Sequence, residues 1–160
     1  MKKTLQYSNA QLSMLVVLRV SIGWHFLYEG FVKLLNPNWS SVGYLLDSEG
    51  FLSGFFETIA SDPNSLAVAD FLNMWGLIAI GLGLMLGCLS RIAIISGITL
   101  LAFYYLSHPP FIGFKYAMPT EGSYLIVNKI LIELFALVVL YLFPSSRQIG
   151  FDRLIFGPKS

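Results

Sequence analysis

The sequence predicts an all-α integral membrane protein: a four-transmembrane-helix bundle with both termini cytoplasmic and a short interfacial helix in the first outer loop. Three observations predict it. Of 160 residues, 56% are hydrophobic and 12% charged, with a mean hydropathy of +0.70; a soluble domain carries about 25% charged residues and needs them to cover itself in water. The apolar residues gather into four stretches long enough to cross a bilayer. The basic residues outside those stretches fall almost entirely on one side.

A spanning helix needs roughly 20 mostly apolar residues, with a range of about 17–25. The first stretch runs from about Leu12 to Leu35 and stops at Asn36-Pro37. It contains Arg19 and lacks a small-x-small cleavage site, so it does not read as a signal peptide. The second runs from about Val68 to Leu89 and the third from Arg91 to Leu106, before Pro109-Pro110. The third is the shortest and requires a flanking residue or a locally thin bilayer. The fourth runs from about Tyr124 to Phe143, where Pro144 stops it. No repeat, linker or low-complexity tract divides the chain, so residues 1–160 read as one domain.

Lys and Arg mark the cytoplasmic side. Lys2 and Lys3 precede the first span, Arg91 lies in the tight second connection, and Arg147, Arg153 and Lys159 follow the fourth span. The opposite connections hold Lys115 against Asp47, Glu49, Glu57, Asp62 and Glu121. That side is therefore outside, and the expected location is the inner membrane of a bacterium. In the first outer connection Phe51, Phe55 and Ile59 recur every four residues, with Leu52 and Phe56 beside them. This is the pattern of an amphipathic helix lying in the interface, where Trp39 and Tyr44 also belong. The second outer connection, Ser107 to Ser123, is rich in Pro, Gly and aromatic residues. Together the two connections suit an apolar lid over the outer end.

Several functions are excluded at this stage. A net charge of +1 gives no reason to expect nucleic acid as a partner. The single cysteine, Cys88, rules out an internal disulfide framework, a CxxC pair and a Cys-based zinc site. Neither a metal nor a haem is expected: His25 and His108 are the only histidines and no CxxCH is present. Walker, dinucleotide-binding and hydrolase motifs are missing too.

Ionisable residues inside spans are costly and by default mark a site. His25, Glu29 and Lys33 form an i, i+4, i+8 ladder on the first span, with Arg19, Gly23 and Gly30 beside it. Asp70 and Asn73 begin the second span; Asn128, Lys129 and Glu133 begin the fourth. Arg19, Lys33 and Lys129 balance Glu29, Asp70 and Glu133, as paired intramembrane charges require. At about 1.5 Å per residue, most of this layer falls in the outer half, with His25 and Glu133 reaching toward the middle. Plainer roles compete. Paired charges can fix registry between helices, Lys33 and Asp70 lie where side chains snorkel, and Arg91 suits an anchor at the cytoplasmic face. Gly83 and Gly87 suit close helix packing.

A quinone fits these residue types. Its apolar tail belongs in lipid, and its two carbonyl oxygens accept hydrogen bonds from His, Lys, Arg or Asn. The catalytic candidates are Glu29 and Glu133, which would handle protons; the cofactor-binding candidates are Arg19, His25, Lys33, Asn73, Asn128 and Lys129.

The stretch Leu18-Arg19, Gly23, Glu29-Gly30-Phe31-Val32-Lys33-Leu34 resembles the opening of the DoxX/DoxD family of small membrane proteins. So do the Gly-rich second span running into Ser90-Arg91, and Asn128 and Glu133 followed by Gly150-Phe151-Asp152-Arg153-Leu154. The resemblance implies a four-helix membrane protein similar to the membrane subunit of thiosulfate:quinone oxidoreductase, with a redox protein as partner. The long first outer loop is closer to the DoxD-like branch. Cys88, at the cytoplasmic end of its span, argues against persulfide chemistry on the outer side in this chain.

The expected function is therefore a quinone-interacting subunit of an oxidoreductase complex. It would pass electrons from an outer-face partner or substrate, thiosulfate being one candidate, to the quinone pool. Partners would be the bilayer, quinone, a redox or periplasmic protein, and a further copy of the chain if it oligomerises. Two alternatives are a non-catalytic anchor or assembly factor for a periplasmic enzyme, and a small transporter or channel subunit. A transporter commonly shows broken helices in paired repeats, which the sequence lacks.

Overall fold

The computed structural model describes residues 7–117 and 125–157. The described residues are all helical, with no strand: α1 (Asn9–Leu35), α2 (Val42–Leu46), α3 (Ser53–Ser61), α4 (Pro63–Leu86), α5 (Ser90–Ser107), α6 (Lys129–Leu142), a 3-10 turn (Ser145–Arg147) and α7 (Asp152–Phe156).

Local signals set the ends. Ser8 and Gln11 form a capping box before α1: the Gln11 N–H donates to Ser8 Oγ at 3.2 Å and the Ser8 N–H to Gln11 Oε1 at 2.9 Å. At α4 the Asp62 carboxylate accepts from the Ser65 N–H at 2.9 Å, and Pro63 occupies the first turn. The second apolar stretch starts near Val68, so the helix begins five residues earlier than hydropathy alone indicates. Gly87 closes α4 in the left-handed region at φ +66°, a conformation glycine adopts without strain. At α6, Asn128 caps by accepting from the Leu131 N–H at 2.9 Å.

Three helices, α1, α4 and α5, are long and apolar enough to cross a membrane. The described part of the fourth expected span is α6, which has 14 residues; Tyr124, where that span was expected to begin, lies outside the described residues. Helix α6 nevertheless joins the same core. Ile22 and Phe26 of α1 pack with Leu77, Ile80 and Leu84 of α4, Ile94 and Leu101 of α5, and Leu137 and Leu140 of α6. Outward-facing positions are also apolar, among them Trp24, Phe71, Trp75, Ile92, Ile95 and Phe135. Helices apolar all round belong in lipid.

α1 and α4 are drawn together by glycines. A Cβ on Gly81 would lie 2.6 Å from the Leu27 nitrogen and 2.7 Å from the Gly23 oxygen, and one on Gly30 would lie 2.9 Å from the Ile78 nitrogen. Such backbone approach is how membrane helices gain contact where lipid removes the hydrophobic drive. The expected Gly83–Gly87 pair acts differently: Gly83 packs toward Ala93 of α5, whereas Gly87 is the helix cap beside Gly150.

At the end bearing the α4–α5 turn, the chain after α6 folds back. Asp152 accepts from the Leu89 N–H at 2.7 Å and the Ser90 N–H at 3.1 Å, while its own N–H donates to the Gly87 oxygen at 2.7 Å. Arg91 nearby lies 5.8 Å from the Tyr141 ring centroid.

At the opposite end the two long connections meet, as the lid reading expects. The Glu49 N–H donates to the Ser107 oxygen at 3.1 Å, and the Ala117 N–H to Asp47 Oδ1 at 2.8 Å. Tyr44 stacks on His108 at 4.0 Å between centroids, and Tyr116 covers the same imidazole at 4.7 Å. The amphipathic helix is α3; it buries Phe56 and leaves Phe51, just before it, 84% exposed.

Candidate functional site

Four of the eight residues singled out above share one cleft. His25, Glu29 and Lys33 descend one face of α1, and Glu133 faces them from α6. His25 Nδ1 lies 2.8 Å from Glu133 Oε1, and Lys33 Nζ lies 2.6 Å from Glu29 Oε2. The second pair follows from the i, i+4 spacing, which brings side chains together on one helix face. The first pair is tertiary: the sequence sets His25 and Glu133 at similar depth but does not pair them. Phe26, Leu77, Leu101 and Ile130 line the rest of a cavity of about 120 Å³, together with Tyr104.

The cleft is open at its side. The His25 and Glu29 side chains are 58% and 46% exposed, against 16% for Glu133 and 17% for Lys33. An ionisable group turned toward hydrocarbon is costly unless paired or covered. Pairing is present here within α1 and between α1 and α6.

The other four residues stand elsewhere. Arg19 is 3% exposed at the α4–α5 turn end, where Nη2 donates to the Ile149 oxygen at 2.8 Å and Nη1 to Ser145 Oγ at 3.3 Å. It holds the returning chain and takes no part in the cleft. Asn128 caps α6 and Lys129 opens that helix. Asn73 does not line the cleft but reaches it through Tyr104, donating from Nδ2 to the phenol oxygen at 2.7 Å. Asp70 of α4, outside the eight, ties down the chain just after α1, accepting from the Ser41 N–H at 2.8 Å and its hydroxyl at 2.5 Å.

Among the described residues, no group of three or more His, Cys, Asp or Glu side chains is placed to hold a metal ion. The family model for DoxX matches residues 14–109, from the first turns of α1 to just past α5. The chain belongs to the DoxX family. It is a multi-pass membrane protein that contacts the lipid bilayer, and the match includes the α1 face that supplies three of the cleft residues. Neither the curated proteins nor the solved structures gave a match to this DoxX-family chain.

Sequence reasoning missed Tyr104. It lies in an apolar stretch where a tyrosine reads as filler, yet it lines the cleft and a second cavity. It also missed the surroundings of His108. The imidazole Nδ1 is 2.9 Å from Ser107 Oγ, and Nε2 is 3.7 Å from Asp47 Oδ2. Burial depresses the His108 pKa, with the Asp47 charge opposing in part. Burial likewise raises the Tyr44 phenol above its ordinary range, and it pushes Tyr116 up to about 12. No spacing rule connects Tyr44, Asp47, His108 and Tyr116, which come from two separate loops.

Proposed function

We propose that this DoxX-family protein is a quinone-interacting membrane subunit of an oxidoreductase complex in a bacterial inner membrane. In this reading α6 completes a four-span bundle with α1, α4 and α5, both termini are cytoplasmic, and α3 lies in the outer interface. The carrying observation is the side-opening cleft in which His25, Glu29, Lys33 and Glu133 converge over an apolar floor. A lipid-soluble ring would enter from the bilayer, with its tail left in hydrocarbon. His25 and Lys33 supply hydrogen bonds to the two carbonyl oxygens, and Glu133 and Glu29 relay protons. Reduction consumes two electrons and two protons per quinone. The electrons come from a redox partner or substrate on the outer face, thiosulfate being the candidate closest to the DoxD-like reading.

The pairing favours a second reading. Each carboxylate in the cleft already has a cationic or imidazole partner, as a registry device between helices requires. The chain would then be an anchor or assembly factor for a periplasmic enzyme. Gentle purification from the native membrane, followed by mass spectrometry of accompanying lipids and proteins, separates the two. A co-purifying quinone supports the redox subunit. A stoichiometric periplasmic enzyme without quinone overturns it in favour of the anchor.

A further inference from the structure

A second cavity, of about 220 Å³, lies under α2 and α3 against α4 and α5. No charged side chain lines it. Its walls include the aromatic rings of Tyr44, Phe55, Phe56 and Phe103. Ser41 and Ser107 line it too, their hydroxyls bonded to Asp70 and the His108 imidazole, and the polar corner with unmet capacity is Asn73 with Tyr104. Asn73 Oδ1 is buried with no hydrogen-bond partner among the described residues, whereas Nδ2 donates to the Tyr104 hydroxyl at 2.7 Å. Because that hydroxyl accepts from the amide, its own proton is left to donate. The corner therefore offers one unmet acceptor next to one donor.

This pattern selects a chemical class. A ligand hydroxyl donates to Oδ1 and accepts from Tyr104, satisfying both. A carbonyl lacks the donor that Oδ1 requires, and leaving a buried acceptor unmet is costly. An ion finds no countercharge. A lone water would meet the same two groups but leave the rest of the cavity, with its mostly apolar wall, unfilled. Size agrees: an apolar cavity of about 150 Å³ accepts benzene, so this one has room for a substituted ring. Rings also stack favourably on the aromatic walls.

We propose that the cavity under α3 is a binding site for a lipid-soluble phenol, hydroquinones included, with its hydroxyl held between Asn73 and Tyr104. The inference rests on this cavity's own walls and is independent of whether the cleft binds quinone.

The test uses the purified full chain in nanodiscs, with 4-hexylphenol and its methyl ether, 4-hexylanisole, as probes. The two share an apolar body and differ in the hydroxyl donor. Saturable binding is measured by equilibrium dialysis against empty nanodiscs. The phenol binds about tenfold tighter than the ether, in keeping with one buried hydrogen bond. Asn73→Leu, checked for native helicity by circular dichroism, lowers the phenol to the level of the ether. Ala69→Phe, which fills the cavity, removes binding of both. A short-tailed benzoquinone does not displace the phenol. Equal affinity of wild type for the two probes overturns the proposal and leaves water or nothing at Oδ1. Full phenol selectivity in Asn73→Leu overturns it as well. Stoichiometric displacement by the benzoquinone moves the phenol to the cleft and sinks the separate site. Should the benzoquinone fail to bind while the phenol keeps its selectivity, the redox reading fails and this inference stands.

Discussion

His25 on α1 lies 2.8 Å from Glu133 on α6, joining two helices that are far apart in sequence. If this contact and the Glu29–Lys33 pair hold a quinone head group, His25→Ala and Glu29→Gln lower quinone affinity at least tenfold, as expected for loss of one strong polar contact. Membrane insertion and helicity stay normal. Titration of a short-tailed quinone into each purified variant measures the loss, and wild-type affinity in both rejects the site.

Asp152 and Arg19 secure the opposite end. Asp152→Ala removes the acceptor for the Leu89 and Ser90 N–H groups and the negative charge that acts on the Arg19 guanidinium. Hydrogen bonds to a charged group contribute about 1.5–3 kcal/mol each. Thermal unfolding in detergent falls by several degrees, with no change in quinone affinity because the cleft lies elsewhere.

Glycines at two positions of α4 behave oppositely. Gly81→Ala drives a methyl to within 2.6 Å of the Leu27 nitrogen, forces α1 away and lowers both yield and Tm. At Gly76 a Cβ meets nothing within 4 Å. Gly76→Ala is therefore neutral or stabilising, by about 0.5–1 kcal/mol on helix propensity. Parallel melts of the two variants check the contrast.

His108 gives the lid a pH dependence. Its folded-state pKa is depressed below the usual value near 6.5, chiefly by burial. As pH falls through 6.5 the unfolded chain takes up a proton first, and the native state loses stability. Above that pH both states are neutral and the effect vanishes. Wild type therefore melts lower at pH 5.5 than at pH 7.5, by about 2–4 °C for each kcal/mol lost. His108→Phe retains an aromatic ring between Tyr44 and Tyr116 and has a smaller gap between the two pH values. An unchanged gap shows that other groups carry the dependence.

Much of the fold was legible because lipid imposes long apolar runs that capping residues then trim. The caps themselves, Ser8, Asp62 and Asn128, were not read from the sequence and show only in the structure, where they set the ends that hydropathy blurred. The α1 ladder was legible because i, i+4 spacing is local. Partners across helices were not: nothing in the sequence pairs Glu133 with His25, or sends Arg19 to Ile149 and Ser145. Those contacts depend on how the helices are rotated, which the glycines at 23, 30 and 81 decide by close approach. Tyr104 escaped notice because its role comes from standing between two cavities.

The Gly23–Gly81 approach has a mechanical consequence. With backbone nearly touching backbone, α1 and α4 pack as one plate with no room for a side chain between them at these glycines. α5 packs on α6 to make a second plate, which meets the first through the shared core and is tied to it at one end by the Arg19 and Asp152 bonds. The cleft follows the seam between the plates, far from that riveted end. Tyr104, which lines the cleft from α5, accepts from the Tyr44 hydroxyl through its carbonyl oxygen at 3.3 Å, so the seam and the loops share that residue.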